Sequence, residues 1–315
     1  MFRLRPTLKR RSESFIMNNK INSWTSPYNS DSIWNTQVAA DIKTVNAGFV
    51  PAPAFHFDFE CFIKAQADDT AYTVNVNGES VTVQIPETDF NNCEYACVLQ
   101  PDEVSVVQLR NAKIVDGELC FDEIFIDKLT DDGREGIHTA SGLSAMGGTI
   151  RKDELLNDEP INHALKVRIS SNRFLFYNGE EIPGYRYPAR RTDSYAVNNI
   201  KEKVRYSGVN KHVVQGTLFT LPKDLTPQDI GLKSKMGKKI FYAIQNYGAY
   251  VSDSQAIHSI GFFCEYDVKK ELTDTIGMRT EGWMKDCVLP NERDWAHDLN
   301  HIFEKMLAEA NTSLL

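Results

Sequence analysis

An all-β dominated fold, a β-sandwich or jelly roll with a few peripheral helices, is what this sequence predicts. Three observations predict it. Strand-like alternation recurs in short runs, Asn-Gly and Asp-Gly turns punctuate those runs, and only two stretches carry helical spacing. The 315 residues suffice for one large domain, expected over 26–315 behind a flexible arm of residues 1–25. "SPYNSDSIWN" (26–35) opens the folded part with turn residues around Trp34.

The first hairpin is the clearest. Tyr72, Val74 and Val76 alternate, Asn77-Gly78 follows, and Val81, Val83 and Ile85 alternate again. Asn-Gly accepts the positive φ angles of a tight turn between two strands. Strands are expected at "VSVVQL" (104–109) and "EIFI" (124–127), with a second hairpin between them in "AKIVDGELCF" around Asp116-Gly117. In "PINHALKVRIS" (160–170) His163, Leu165, Val167 and Ile169 share one strand face, and Asn162, Ala164, Lys166 and Arg168 share the other. "RFLFY" before Asn178-Gly179 and "GTLFTLP" (216–222) complete the strands. One helix is read from Met236, Ile240, Ala243, Ile244 and Tyr247, with Gly248 as its stop. The other is read from the stripe Trp295, Leu299, Ile302 and Met306.

Composition removes several function classes. A net charge of −8 argues against a wide nucleic-acid grip, and no apolar run is long enough to span a membrane. The N-terminal twenty residues are basic and lack the hydrophobic stretch of a secretory signal. They fix no location, and extracellular and virion-associated settings both fit. The six cysteines lack the paired spacing of a zinc site and read as free thiols. "HDLNH" (297–301) has two histidines at zinc-binding spacing, but Asp298 stands where a zinc protease needs its glutamate, so a solvated helix face is expected. "DKLTDDGRE" (127–135) is acidic without the periodicity of a calcium loop. No metal or cofactor is expected.

The candidate site centres on "HTASGLSAMGGTIRKDEL" (138–155). Its small residues, Ser141, Gly142, Ser144, Gly147 and Gly148, would let backbone N–H groups approach a ligand in a polar cleft, or would simply turn corners between strands. Arg151 and Glu154 follow, facing one pocket or paired in solvent. His163 reads more readily as a core histidine than as a catalytic one. Between 163 and 191, Lys166, Arg168 and "YRYPARR", with Tyr185, Arg186, Tyr187, Arg190 and Arg191, reverse the acidic balance of the chain and point to an anionic partner.

The ordered succession Ser141-Gly142-Leu143, Gly147-Gly148, Ile150-Arg151, Glu154-Leu155 and Ile161-Asn162-His163-Ala164-Leu165 resembles a widespread group of mostly secreted, uncharacterised bacterial β-sandwich proteins. "YRYPARR", "NYGAYVSD" and the early "SIWN" are similar to that group as well, so the resemblance covers about a third of the chain. It implies a β-sandwich and a link to polysaccharides, with no activity to carry over.

Rings stack on sugar faces and guanidinium groups pair with carboxylates, so the expected ligand is an acidic polysaccharide. A lyase would use Arg151 or Arg190 to neutralise a uronate, and His138 and Tyr187 as base and acid. Ser141, Glu154, His163, Lys166, Arg168, Tyr185, Arg191 and Asp253 are the expected binding residues. A glycoside hydrolase would need two carboxylates, drawn from Asp58, Glu154 and Asp253. The rival expectation is a non-catalytic lectin-like or structural module, such as a virion or surface component.

Overall fold

The computed structural model describes residues 23–179, 181–197, 205–282, 285–290 and 294–310. The strands in the first half are β1 (Thr44–Asn46), β2 (Phe55–Lys64), β3 (Thr70–Val76), β4 (Glu79–Ile85), β5 (Tyr95–Leu99), β6 (Ser105–Arg110), β7 (Lys113–Val115), β8 (Glu118–Cys120) and β9 (Glu123–Lys128). The second half adds β10 (Leu165–Ser170), β11 (Leu218–Thr220), β12 (Ala249–Gln255), β13 (Ile260–Glu265), β14 (Cys287–Val288) and β15 (Leu307–Glu309). Helices are α1 (Ser171–Phe174), α2 (Ser194–Val197), α3 (Lys235–Asn246), α4 (Val268–Ile276) and α5 (Asp294–Glu304).

Strands dominate, and eleven of them form one mixed sheet in the order β1-β15-β11-β12-β10-β13-β2-β5-β6-β9, with β14 added beside β2. The pairs β10·β12, β13·β2 and β2·β5 are parallel. Parallel strands are covered on both faces and lose their alternation in sequence. In β5 all five residues are buried: Tyr95, Cys97 and Leu99 join one core cluster, and Ala96 and Val98 join another. The two expected hairpins form as β3·β4 and β7·β8, and both turns have positive φ at Asn77-Gly78 and Asp116-Gly117.

Helices α3 and α5 are part of the core. Phe241 and Ile244 of α3 and Leu299 and Phe303 of α5 cluster with Leu165, Val167, Ile169, Ile260 and Phe262 on one face of the sheet. Gly248 follows α3 at φ 85, the left-handed position that ends a helix. Asp298, read from sequence as part of a solvated face, is buried and accepts from Lys233 N, Ser234 N and Ser234 Oγ, bracing the start of α3.

Three local expectations change. "RFLFY" is no strand: Arg173 and Phe174 close the short helix α1, with Leu175 N bonding back to Ser171 O. Strand β10 starts at Leu165, so His163 precedes it. Of the expected arm, residues 1–22 lie outside the described residues, and Trp24 is packed edge-on against Phe62. Among the described residues no helix is long and apolar enough to cross a membrane.

Candidate functional site

Strand β2 reads Phe-His-Phe-Asp-Phe-Glu, so Phe55 and Phe57 turn to the helix-covered core while Asp58 and Glu60 turn to the other face. One edge of β2 is shared. Phe55 and His56 pair with β14, whereas Cys61 to Lys64 pair with β5. Where those two neighbours part, a crevice of about 240 Å³ opens over Asp58, Phe59 and Glu60. Cys93, Glu94 and Tyr95 wall it on the β5 side, Tyr266 and Lys269 come from the start of α4, and Asp253 reaches in from β12.

Beneath the crevice lies a closed polar cluster. Lys166 Nζ donates to Glu60 Oε1 at 2.8 Å, to Ala145 O at 2.6 Å and to Ser144 O at 3.1 Å. His138 Nε2 lies 2.8 Å from Glu60 Oε1, and Thr149 Oγ1 donates to Glu60 Oε2. All three charged or titratable residues, Glu60, His138 and Lys166, are 0 % exposed. Burial pushes the Glu60 carboxyl up, but Lys166 and the hydrogen bond from His138 outweigh it and hold that carboxyl below the usual range. The His138 ring packs against Tyr95 at a tilt of 35°, with ring centres 4.2 Å apart. Its Nδ1 has no hydrogen-bond partner among the described residues and lies 3.7 Å from Asp253 Oδ2.

Charges along the wall are mostly paired: Asp58 with Arg168, and Asp286 with Lys269 at 3.0 Å. Glu94 and Asp253 have no lysine or arginine ion pair among the described residues. Glu94 stands at the rim. The residue is exposed there, yet the crevice wall strips some solvent from its carboxyl, and this with the nearby charge of Asp253 pushes it above the usual carboxylate range. A carboxyl that keeps its proton to higher pH is what general-acid chemistry uses.

The segment expected to line the cleft is sealed instead. From Ala140 to Arg151 every residue is buried, and its glycines make room for neighbours, not for a ligand. A Cβ on Gly147 or Gly148 would overlap the Trp34 indole, and one on Gly142 would meet Arg190. Trp34 Nε1 in turn donates to Gly133 O at 2.7 Å. Ser141 is fully buried and its carbonyl accepts from Arg190 N.

Of the expected site residues, Asp58 and Asp253 line the crevice, His138 and Lys166 lie in the closed cluster beneath it, and Arg168 pairs with Asp58. Arg151 is elsewhere: it lies over the Phe62 ring at 4.2 Å, bonds Glu265 at 3.0 Å and donates to Trp24 O. Glu154 and His163 pair with each other at 3.2 Å, and Arg151 N donates to Glu154. Tyr185 bridges to Gln215, and Tyr187 is 66 % exposed beneath the Arg134 guanidinium. The basic run is neutralised in place, by Arg186–Glu309, Arg190–Glu135 and Arg191–Glu123 pairs. Arg191 also donates to the carbonyl oxygen of His138. The positive charge of this run is thus matched by acidic side chains distant in sequence.

Sequence reading passed over Glu60, Glu94 and Tyr95. A signal was present for the first, because "FHFDFE" alternates aromatic and titratable residues at strand period. Glu94 and Tyr95 carry none. A further unpredicted feature is the turn before them: Phe90, Asn91 and Asn92 have φ of 52, 51 and 55, each in the left-handed region that costs a non-glycine residue about 1 kcal/mol or more. Among the described residues no group of three His, Cys, Asp or Glu side chains is placed to hold a metal ion.

No protein-family model matches the chain, and neither does any curated protein or solved structure. The class is thus set by the fold and the crevice alone: a strand-dominated protein with one large mixed sheet and a carboxyl-lined hollow where that sheet divides.

Proposed function

We propose that the protein is carbohydrate-active and that the crevice between β14 and β5 binds a sugar and hydrolyses its glycosidic bond. The observation that carries this reading is that Glu94 and Asp253 line the same crevice, where loss of solvent first and the charge of Asp253 second raise the Glu94 carboxyl. Glu94 then protonates the leaving oxygen, and Asp253 serves the opposite side of the bond as base or nucleophile. Phe59 and Tyr266, edge to face at 6.3 Å, offer an apolar wall for a sugar ring, and Asn91 and Asn92 bring amide groups to the rim. Within this proposal the divided sheet is a variant of the sandwich or jelly-roll frame expected from the sequence.

The hydrolytic branch is favoured over the lyase branch because Arg151, Tyr187 and Arg190 are engaged away from the crevice. Glu94 and Asp253 would repel a uronate, so the favoured ligand is a neutral or amino-bearing sugar, not the acidic polymer expected from the basic run.

Incubation with neutral, amino-containing and uronate oligosaccharides tests the reading. New reducing ends without the ultraviolet absorbance of an unsaturated product are expected from the neutral or amino sugars. An unsaturated product from uronates would establish the lyase instead, and binding without cleavage would establish the lectin-like module.

A further inference from the structure

We propose that His297 and His301, on the outer face of α5, form a two-nitrogen site for a zinc-class divalent ion that staples this helix from outside. The inference is independent of the hydrolytic reading. The four-residue spacing sets both rings one turn apart on the same side of α5. His297 is exposed there and His301 half-buried. Their Nε2 atoms face each other at 3.3 Å, with ring centres 4.4 Å apart.

Two imidazole nitrogens so placed share one proton between them, and a metal ion can take its place. Zinc–nitrogen bonds of about 2.0–2.1 Å drawn from nitrogens 3.3 Å apart enclose an angle of about 104–111°, which is tetrahedral. Square-planar copper would need the nitrogens closer, at about 2.9 Å. On binding, the ring that donates across the gap shifts its proton to its own Nδ1 by way of solvent. Two neutral rings therefore release no net proton, and both Nε2 lone pairs go to the metal. Asp294, which also meets Lys233 at 3.8 Å, and Glu304 lie three residues before His297 and three after His301. Both are exposed on the same stripe and add negative charge beside the ion. Among the described residues no group of three His, Cys, Asp or Glu side chains is placed to hold a metal, so water fills the remaining positions.

The site differs from that of a zinc protease. Asp298, at the position of a protease's general base, is buried and holds Lys233 N and Ser234 N instead. The ion's effect is therefore on the helix. Through the same stretch α5 holds its neighbours: Asp298 braces α3, and Asn300 Oδ1 accepts from Ala52 N ahead of β2. Trp295 and Phe303 pack on Phe57 and Phe55 of β2. An ion bridging His297 and His301 fixes that turn and stabilises the folded chain as the zinc concentration rises.

The test titrates the full chain with zinc chloride at about pH 7.5, following the histidine ring signals by NMR and the thermal unfolding midpoint. The expected result is saturable binding of one ion per chain, with the signals of two rings moving together and the midpoint rising. His297→Ala and His301→Ala, neither at a buried position, should each weaken binding by about 10-fold or more and remove the rise in midpoint. Zinc that leaves these two rings unmoved, or that binds the double variant as tightly as the native chain, would be an adventitious ion only and would overturn the proposal.

Discussion

His138 Nδ1 and Asp253 Oδ2 lie 3.7 Å apart, and through them a sealed polar cluster meets the wall of an open crevice. On its other side the same ring meets Glu60, which Lys166 also contacts. The cluster has no water-facing member, so its charges depend on one another. Removing one partner of such a buried pair strands the other in the interior. Lys166→Met is expected to cost about 3–5 kcal/mol in urea unfolding, and adding Glu60→Gln to it should recover part of the loss. A Lys166→Met protein as stable as wild type would show that the cluster is not the anchor of this face.

Asp127 sets a pH dependence of its own. It lies 2.8 Å from the Tyr28 hydroxyl, its other oxygen has no partner among the described residues, and burial pushes its carboxyl up to about 7. An unfolded aspartate ionises near pH 4, so between about pH 4 and 7 the folded state holds a proton that the unfolded state has released. Stability from this group therefore falls as pH rises through that window, by up to about 4 kcal/mol. Asp127→Asn should remove the slope. Urea unfolding is expected to favour the variant over wild type progressively from about pH 4.5 to about pH 8, and a constant difference would refute the assignment.

The Glu154–His163 pair behaves as a bounded ion pair. Burial lowers the His163 pKa, but Glu154 outweighs it, so the ring stays charged to higher pH than an ordinary histidine. Burial likewise raises Glu154, and the charge of His163 more than offsets it. The histidine's contribution is fully present below about pH 6.5 and is lost as pH rises through the raised folded value. The glutamate's is present above about pH 4.3 and is lost as pH falls through the lowered one. His163→Gln should thus cost more stability near about pH 5.5 than near about pH 9, read as the shift in unfolding midpoint at each pH.

Gly147 tests the packing of the sealed segment without a backbone complication, because its φ is not positive. A methyl group there would overlap the Trp34 indole, which is held by its bond to Gly133 O. Gly147→Ala is expected to cost about 3 kcal/mol by overpacking. The same change in a segment that lined an open cleft would cost little, so the unfolding free energy separates the two placements.

The legible parts of the fold were those written in local code. The hairpins at Asn77-Gly78 and Asp116-Gly117 and the stop of α3 at Gly248 follow from residues within a few positions of one another. Strands β5 and β13 escaped because both faces are buried and their apolar runs carry no period. Helix α4 was legible and overlooked, since Val268, Leu272 and Ile276 sit at four-residue steps before Gly277 at φ 65. In the site, His138, Lys166 and Asp253 drew attention as unusual residues in their context. What joins them is long-range: Glu60 meets Lys166 across 106 residues, and the charges that cancel the arginine run come from Glu123, Glu135 and Glu309. Glycines in the 138–151 stretch admit either a ligand or a neighbouring side chain, and the positions of Trp34 and Arg190 decide between them.

The central claim is that Glu94 and Asp253 act together in the crevice, and the rate of reducing-end release from a neutral or amino sugar tests it most directly. Glu94→Gln and Asp253→Asn are each expected to lower that rate by about 100-fold or more, and Glu94→Gln, at the exposed rim, leaves the thermal unfolding midpoint unchanged. Wild-type rates in both variants, on a sugar that the native protein cleaves, would contradict the account.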